Sequence, residues 1–160
     1  MTRIGFGYDA HRLVTGRALI LGGVTVPFEK GLLGHSDADV ILHALCDAIL
    51  GACALKDIGH QFPDTDPKFR GISSLTLLER VMRMIKGKGF MLFNADVTLL
   101  AEAPKVSPFI DEMVENISRV CKAPKDSINI KATTTEGLGF AGRGEGMAAY
   151  AVVTVTKSGP

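Results

Sequence analysis

An α+β fold is what the sequence predicts: one mixed β-sheet covered on one face by helices, with residues 1–160 forming a single domain. Three observations carry it. Runs of alternating or β-branched residues occur at both ends of the chain and in its middle. Between them lie segments whose apolar residues recur at helical spacing. No internal repeat and no Pro/Gly/Ser-rich linker divides the sequence.

Arg3 to Leu13 reads as the first strand, with Ile4, Phe6 and Tyr8 alternating before Asp9 and His11. Asp9 and His11 are separated by one residue, so in a strand both point to the same face. Arg17 to Phe28 has the form of a hairpin, in which LIL and VTV flank Gly22-Gly23. Gly34 to Gly51 (GHSDADVILHALCDAILG) is a loop running into a helix, and the rest of the chain is organised around it. Ser36 and Asp39 match the S-x-x-D capping pattern, which predicts a helix start near Asp37. Ile41, Leu45, Ala48, Ile49 and Ala52 form a core stripe. Asp39, His43 and Asp47 follow at i, i+4 and i+8 along another side. A carboxylate one turn from a histidine can orient its second ring nitrogen.

Leu55 to Arg70 (LKDIGHQFPDTDPKFR) has two prolines and little periodicity. It reads as a long loop and a functional candidate, with Ile58 and Phe62 available to anchor it. A second helix is expected from Ser73 or Ser74 to Gly87 or Gly89, with Leu75, Leu78, Met82 and Ile85 on one face. Phe90 to Glu102 is strand-like until Ala103-Pro104-Lys105 breaks it. Ser107 as N-cap and Pro108 at the first helical position predict a third helix carrying Ile110, Met113, Val114, Ile117 and Val120. Ile128 to Thr134 and Met147 to Thr156 are the last strands, and the glycines between them fit a hairpin connection.

Composition narrows the class. The formal net charge is +1 with no long basic or acidic block, which argues against nucleic acid and against an acidic membrane surface. Cys46, Cys53 and Cys121 lie in apolar helical contexts without a CxxC pair, so they read as buried thiols in a reducing compartment. No targeting segment or membrane-length apolar run is visible. The expected location is the cytoplasm.

Four constellations offer chemistry. Asp9, His11 and His43 supply two imidazoles and one carboxylate, a set that suits zinc and leaves a fourth position open; a chance D-x-H beside a hydrogen-bonded core histidine gives the same pattern. Lys131 to Glu136 (KATTTE) offers hydroxyls, N–H groups and one hard oxygen ligand, enough for magnesium shared with a phosphate; a β-prone threonine run before a solvated Glu reads the same way. Gly137, Gly139, Gly142, Gly144 and Gly146 can cradle phosphate, although the P-loop spacing is absent. Asp57, His60, Asp64 and Asp66 crowd the long loop, as acid–base groups or as turn formers.

Taken together, RIGFGYDAH, LGHSDADVILHALCDAILG, DIGHQFPDTDP, LLAEAPK and IKATTTEGLGFAGRGEG resemble, in order and spacing, the 2-C-methyl-D-erythritol 2,4-cyclodiphosphate synthase family over nearly the whole chain. The resemblance implies an intramolecular phosphoryl transfer in non-mevalonate isoprenoid precursor synthesis. In it, 4-diphosphocytidyl-2-C-methyl-D-erythritol 2-phosphate closes to the 2,4-cyclodiphosphate and releases CMP. It implies zinc on Asp9, His11 and His43, and a second divalent cation, magnesium or manganese, on Glu136. His35 and Thr134 would position the reacting phosphates, with Lys105 beside them. Ser36, Asp57, Gly59, Phe62 and Asp64 would meet ribose and methylerythritol. Ala101 to Ser107, with Pro104 in it, and Ala132 to Thr134, with Thr133 in it, would form the cytidine pocket. Phe140 and Arg143 are implied as further substrate contacts.

The family pattern also implies a homotrimer with active sites between subunits and an apolar central cavity that can hold an isoprenoid diphosphate. This chain departs from it there. Members often carry a polar residue, commonly His, at the position of Phe6 and an acidic one at that of Tyr150, while Arg143 and Glu145 are retained. Two other classes compete: a zinc hydrolase with a Glu base, which leaves the Thr-Thr-Thr-Glu segment unexplained, and a catalytically silent trimeric binding module. Metal content and product analysis separate all three.

Overall fold

The structure is a computed structural model and describes residues 1–159. Its strands are β1 (Thr2–Thr15), β2 (Leu19–Leu21), β3 (Val24–Val26), β4 (Lys30–Leu32), β5 (Phe90–Leu100), β6 (Ile128–Thr133) and β7 (Gly146–Lys157). Its helices are α1 (Val40–Ala52), α2 (Ile58–Gln61), α3 (Ser74–Gly87), α4 (Ile110–Cys121) and α5 (Gly139–Gly142). Five strands form one sheet in the order β4-β1-β7-β5-β6, and β2 and β3 form the expected hairpin. β6 runs parallel to β5 and every other neighbouring pair is antiparallel, so the sheet is mixed.

Alternation decides which face is covered. On β1, Gly5 and Gly7 are buried and Asp9 and His11 half-buried, while Ile4, Phe6 and Tyr8 point the other way and stay exposed. The glycines let α1 lie directly on the strand. A Cβ on Gly5 would stand 1.8 Å from the Ala48 carbonyl oxygen, and one on Gly7 2.0 Å from that of Ala44. This approach sets His43 of α1 over Asp9 and His11. The core is continuous from α1 through Leu78, Val81 and Ile85 of α3 and Met113 and Ile117 of α4 to Val97, Leu99, Ala149 and Val153 of the sheet. The opposite face carries Phe6, 62 % exposed, with Tyr8, Tyr150 and Val152. Among the described residues no helix is long and apolar enough to cross a membrane.

Several expectations shift. α1 begins at Val40, three residues later than the capping pattern suggests, because Asp39 is the N-cap and accepts from the Leu42 N–H at 3.1 Å. Ser36 and Asp37 instead close local turns onto the N–H groups of Ala38 and Asp39, and Ala38 has φ +57, outside the helical region. The helix is buried nearly all round, not along a stripe, since α3 and the β2–β3 hairpin close over it.

On α3, Leu77 and Val81 join Leu78 and Ile85 in the core, while Leu75 and Met82 are only partly buried. Ser107 caps nothing: Ser107–Phe109 is a 3-10 turn, and α4 starts at Ile110. The long loop is folded, with α2, a 3-10 turn at Pro67–Phe69, buried Phe69 and partly buried Ile58 and Phe62. The glycine segment is not a hairpin. β5 lies between β6 and β7, so the segment crosses it and contains the single turn α5.

Candidate active site

Three donor atoms converge where β1 meets α1. Asp9 Oδ2 lies 2.8 Å from His11 Nε2 and 3.1 Å from His43 Nδ1, and the two ring nitrogens are 3.1 Å apart. Ligands at zinc distances in a tetrahedron stand about 3.3 Å from one another, so the triangle is a few tenths of an ångström tighter than a filled site. These atoms are the one metal-competent His/Cys/Asp/Glu cluster among the described residues.

The remaining ring nitrogens fix the tautomers. His11 Nδ1 donates to the Leu33 carbonyl at 2.8 Å, so once the ring is neutral its lone pair is on Nε2. His43 Nε2 faces Ser74 Oγ at 2.9 Å and Ser36 Oγ at 3.1 Å. The Ser74 hydroxyl donates to Asp37, so it accepts from His43 Nε2–H, and Nδ1 is the free atom. Both lone pairs point into the triangle.

Asp39 and Asp47 do not orient His43. Asp39 is fully buried and accepts from Gly22 N and Gly23 N of the hairpin as well as from Leu42 N, while Asp47 accepts from Ile58 N at 2.8 Å. Ser74, at the start of α3, does that work, and sequence spacing gave no sign of it. A Ser at a helix start reads as a cap, and only the packing of α3 on α1 brings its hydroxyl to the imidazole.

Electrostatics match the geometry. Burial would raise the Asp9 carboxyl, but the hydrogen bonds and charges of His11 and His43 outweigh it and hold its pKa below 3.8. Burial would lower His11, but the hydrogen bond and charge of Asp9, with the Leu33 carbonyl, raise it above 6.5.

The triad lies in the wall of a cavity of about 360 Å³ whose lining includes His35, Ser36, Gly59, Phe62 and Asp64. Asp57 stays outside that lining. It caps α2 through the His60 N–H and pairs with the His60 ring at 2.9 Å. A second cavity, about 500 Å³, is lined by Ala101, Pro104, Lys105, Ala132, Thr133 and Thr134. Glu136 follows it on an exposed loop with φ +53, its carboxylate 3.5 Å from Thr134 Oγ1. Phe140 stands apart from both, beside Ala10, His11 and Gly146. Arg143 is exposed and paired with Glu145 at 2.8 Å. No residue lines both the triad's cavity and the second one, so within one chain His35 and Thr134 belong to separate cavities.

The profile of the YgbB family matches residues 2–156. The chain belongs to the YgbB family. The 2-C-methyl-D-erythritol 2,4-cyclodiphosphate synthase of Geobacter metallireducens is 63 % identical over 155 residues, 97 % of this chain and 99 % of that relative. Among solved structures, the bifunctional IspDF from Campylobacter jejuni superposes with a TM-score of 0.94 at 43 % identity over 98 % of this chain; the chain spans 42 % of that longer protein. A CDP-bound 2C-methyl-D-erythritol-2,4-cyclodiphosphate synthase matches with a TM-score of 0.89 at 42 % identity, covering 96 % of this chain and 100 % of that one. Both superpositions run over nearly the full length of this chain, which accords with the single-domain α+β architecture.

Proposed function

We propose that the chain, over residues 1–160 as one synthase domain, cyclises 4-diphosphocytidyl-2-C-methyl-D-erythritol 2-phosphate with release of CMP. Curated relatives near 60 % identity carry the name of that synthase. The observation that carries the reading at residue level is the Asp9–His11–His43 triangle, with both imidazole tautomers preset. Two imidazoles, one carboxylate and an open fourth side are the donor set of a catalytic zinc, and the structure supports that fit.

The chemistry asks for positioning and charge neutralisation. A 2-phosphate oxygen attacks the β-phosphorus, the bond from that phosphorus to the α-bridging oxygen breaks, and CMP leaves with the electron pair. Bound at the triad, zinc supplies Lewis acidity and positive charge to a phosphoryl oxygen. Ser36, Gly59, Phe62 and Asp64 hold the methylerythritol end in the triad's cavity, and His35 donates to the phosphates there. Asp57, at the base of α2, meets the same end. Ala101, Pro104, Ala132 and Thr133 hold cytidine in the second cavity, with Lys105 and Thr134 on its phosphates. Glu136 provides one carboxylate for magnesium or manganese, too little to keep either without phosphate oxygens. Phe140 and Arg143 contribute at the rim. Folding a flexible anion back on itself is the entropic part of the task.

The active site is completed between subunits of a homotrimer, a reading supported by the absence of any residue that lines both cavities in one chain. The uncovered sheet face is the surface for that assembly. Its Phe6, Tyr8 and Tyr150 give an apolar wall suited to the isoprenoid end of an isoprenoid diphosphate in a central cavity. The protein acts as a soluble cytoplasmic enzyme.

The test is metal content with turnover. Protein purified without added metal should carry one zinc per chain, and His43→Ala should lose both zinc and CMP release. Full zinc in that variant would remove His43 from the ligand set.

A further inference from the structure

We infer that Glu102 is a positioning residue: its carboxylate clamps the loop that carries Glu136 and ties it to the segment that lines the nucleotide pocket. The inference rests on the reading of Glu136 as a ligand of the second cation. Glu136 has φ +53 and Gly137 φ +77, two successive residues in the left-handed region. Left-handed backbone is unfavourable for Glu, so something outside the residue must hold it.

The turn they make brings the N–H groups of Thr135 and Gly137 toward one point, a concavity suited to an anion. Here an internal anion fills it. Glu102 Oε1 accepts from Thr135 N at 3.0 Å and from Gly137 N at 3.3 Å, the amides on either side of Glu136. Thr135 Oγ1 also lies 3.4 Å from this oxygen, but its proton has a nearer acceptor in the Leu138 carbonyl, at 2.5 Å. The two amide bonds are therefore the clamp, and both are charge-assisted.

The position of Glu102 in the chain gives the clamp its consequence. Glu102 follows Ala101, whose N–H donates to the Thr133 carbonyl at 3.1 Å, and with Pro104 and Lys105 it lines the nucleotide cavity. One side chain thus joins the end of β5 to the loop after β6. With the concavity occupied by Glu102, its amides are closed to a substrate phosphate, and the Glu136 carboxylate is left as the loop's group for the cation. Glu102 needs no contact with substrate or metal for this role; it needs only an acceptor oxygen in place.

The test compares Glu102→Ala, Glu102→Gln and Glu136→Gln as full-length zinc-loaded proteins. Amide hydrogen exchange at Thr135 and Gly137, zinc content and the magnesium dependence of turnover are measured for each. In Glu102→Ala the two amides should exchange about tenfold faster or more, and half-maximal turnover should need about tenfold more magnesium, the size of one lost charge-assisted hydrogen bond. Zinc content should hold. Glu102→Gln keeps a carbonyl oxygen and should return both quantities most of the way to wild type, which a general loss of fold would not allow. Unchanged exchange in Glu102→Ala overturns the clamp. Faster exchange with wild-type magnesium dependence overturns the positioning role, provided Glu136→Gln shifts that dependence. If Glu136→Gln leaves it unshifted, the reading of Glu136 has failed, and the exchange rates still decide whether Glu102 holds the loop.

Discussion

Ser74 Oγ stands 2.9 Å from His43 Nε2 and gives its own proton to Asp37, so a hydroxyl on α3 dictates which nitrogen of an α1 histidine is free to bind metal. Partners of this kind usually carry about 10–100-fold in metal affinity. Ser74→Ala should therefore keep the fold and lose zinc to a chelator at roughly that much lower concentration. Equal zinc retention in the variant would show that Ser36 alone sets the tautomer.

Gly7 controls the same histidine through backbone contact. A methyl there meets the Ala44 carbonyl oxygen at 2.0 Å, on the turn of α1 that carries His43. Gly7→Ala should cost about 1–3 kcal/mol by overpacking and weaken zinc binding together with stability. Gly51→Ala is the control, because its Cβ would meet only the Phe6 carbonyl oxygen, at 4.0 Å. It should be neutral or slightly stabilising, since Ala is the better helix former. Urea unfolding and zinc titration of both variants give the comparison.

The pH dependence of the stripped protein should run opposite to that of zinc binding. His11 is raised in the fold, so its pairing with Asp9 stabilises the stripped protein below pH 6.5 and is lost as pH rises through the raised value. Asp9 is lowered, so its contribution is present above 3.8 and lost as pH falls through the lowered value. Zinc must displace the His11 proton, and its affinity should climb across the range where the stripped protein loses stability. Melting temperatures with and without zinc, taken at pH 5.5 and 8, should show a gap that widens with pH. A constant gap would mean that His11 does not exchange a proton for metal.

The proposed sharing of sites between subunits makes a prediction that needs two inactive variants. His43→Ala spoils the cavity around the triad and Lys105→Ala the nucleotide cavity. Mixed oligomers of the two should recover part of the activity, since some interfaces pair two intact halves. No recovery, with subunit exchange shown independently, would place both halves in one chain.

What was legible in the sequence was whatever depends on neighbours in the chain. Parity along β1 put Asp9 and His11 on one face, and helical spacing located α1, α3 and α4. What failed depends on distant partners. Ser36 and Asp39 both look like caps, and Asp39 prevails while also bonding Gly22 and Gly23, brought by the hairpin. The glycines after β6 look like a hairpin until β5 is placed between β6 and β7. Ser74 and Glu102 act through contacts 31 and 33 residues away, which no local pattern encodes. The separation of His35 from Thr134 is likewise a property of the assembled sheet, although each stands in a recognisable motif.

Product identity tests the central claim most directly. The zinc-loaded protein is incubated with 4-diphosphocytidyl-2-C-methyl-D-erythritol 2-phosphate and magnesium, and phosphorus NMR follows the products. CMP and the 2,4-cyclodiphosphate should appear together in equal amounts, with Glu136→Gln losing most of that turnover. CMP released with an open-chain phosphate instead of the cyclic diphosphate would mean that water, not the substrate's own 2-phosphate, is the nucleophile, and would contradict the cyclisation.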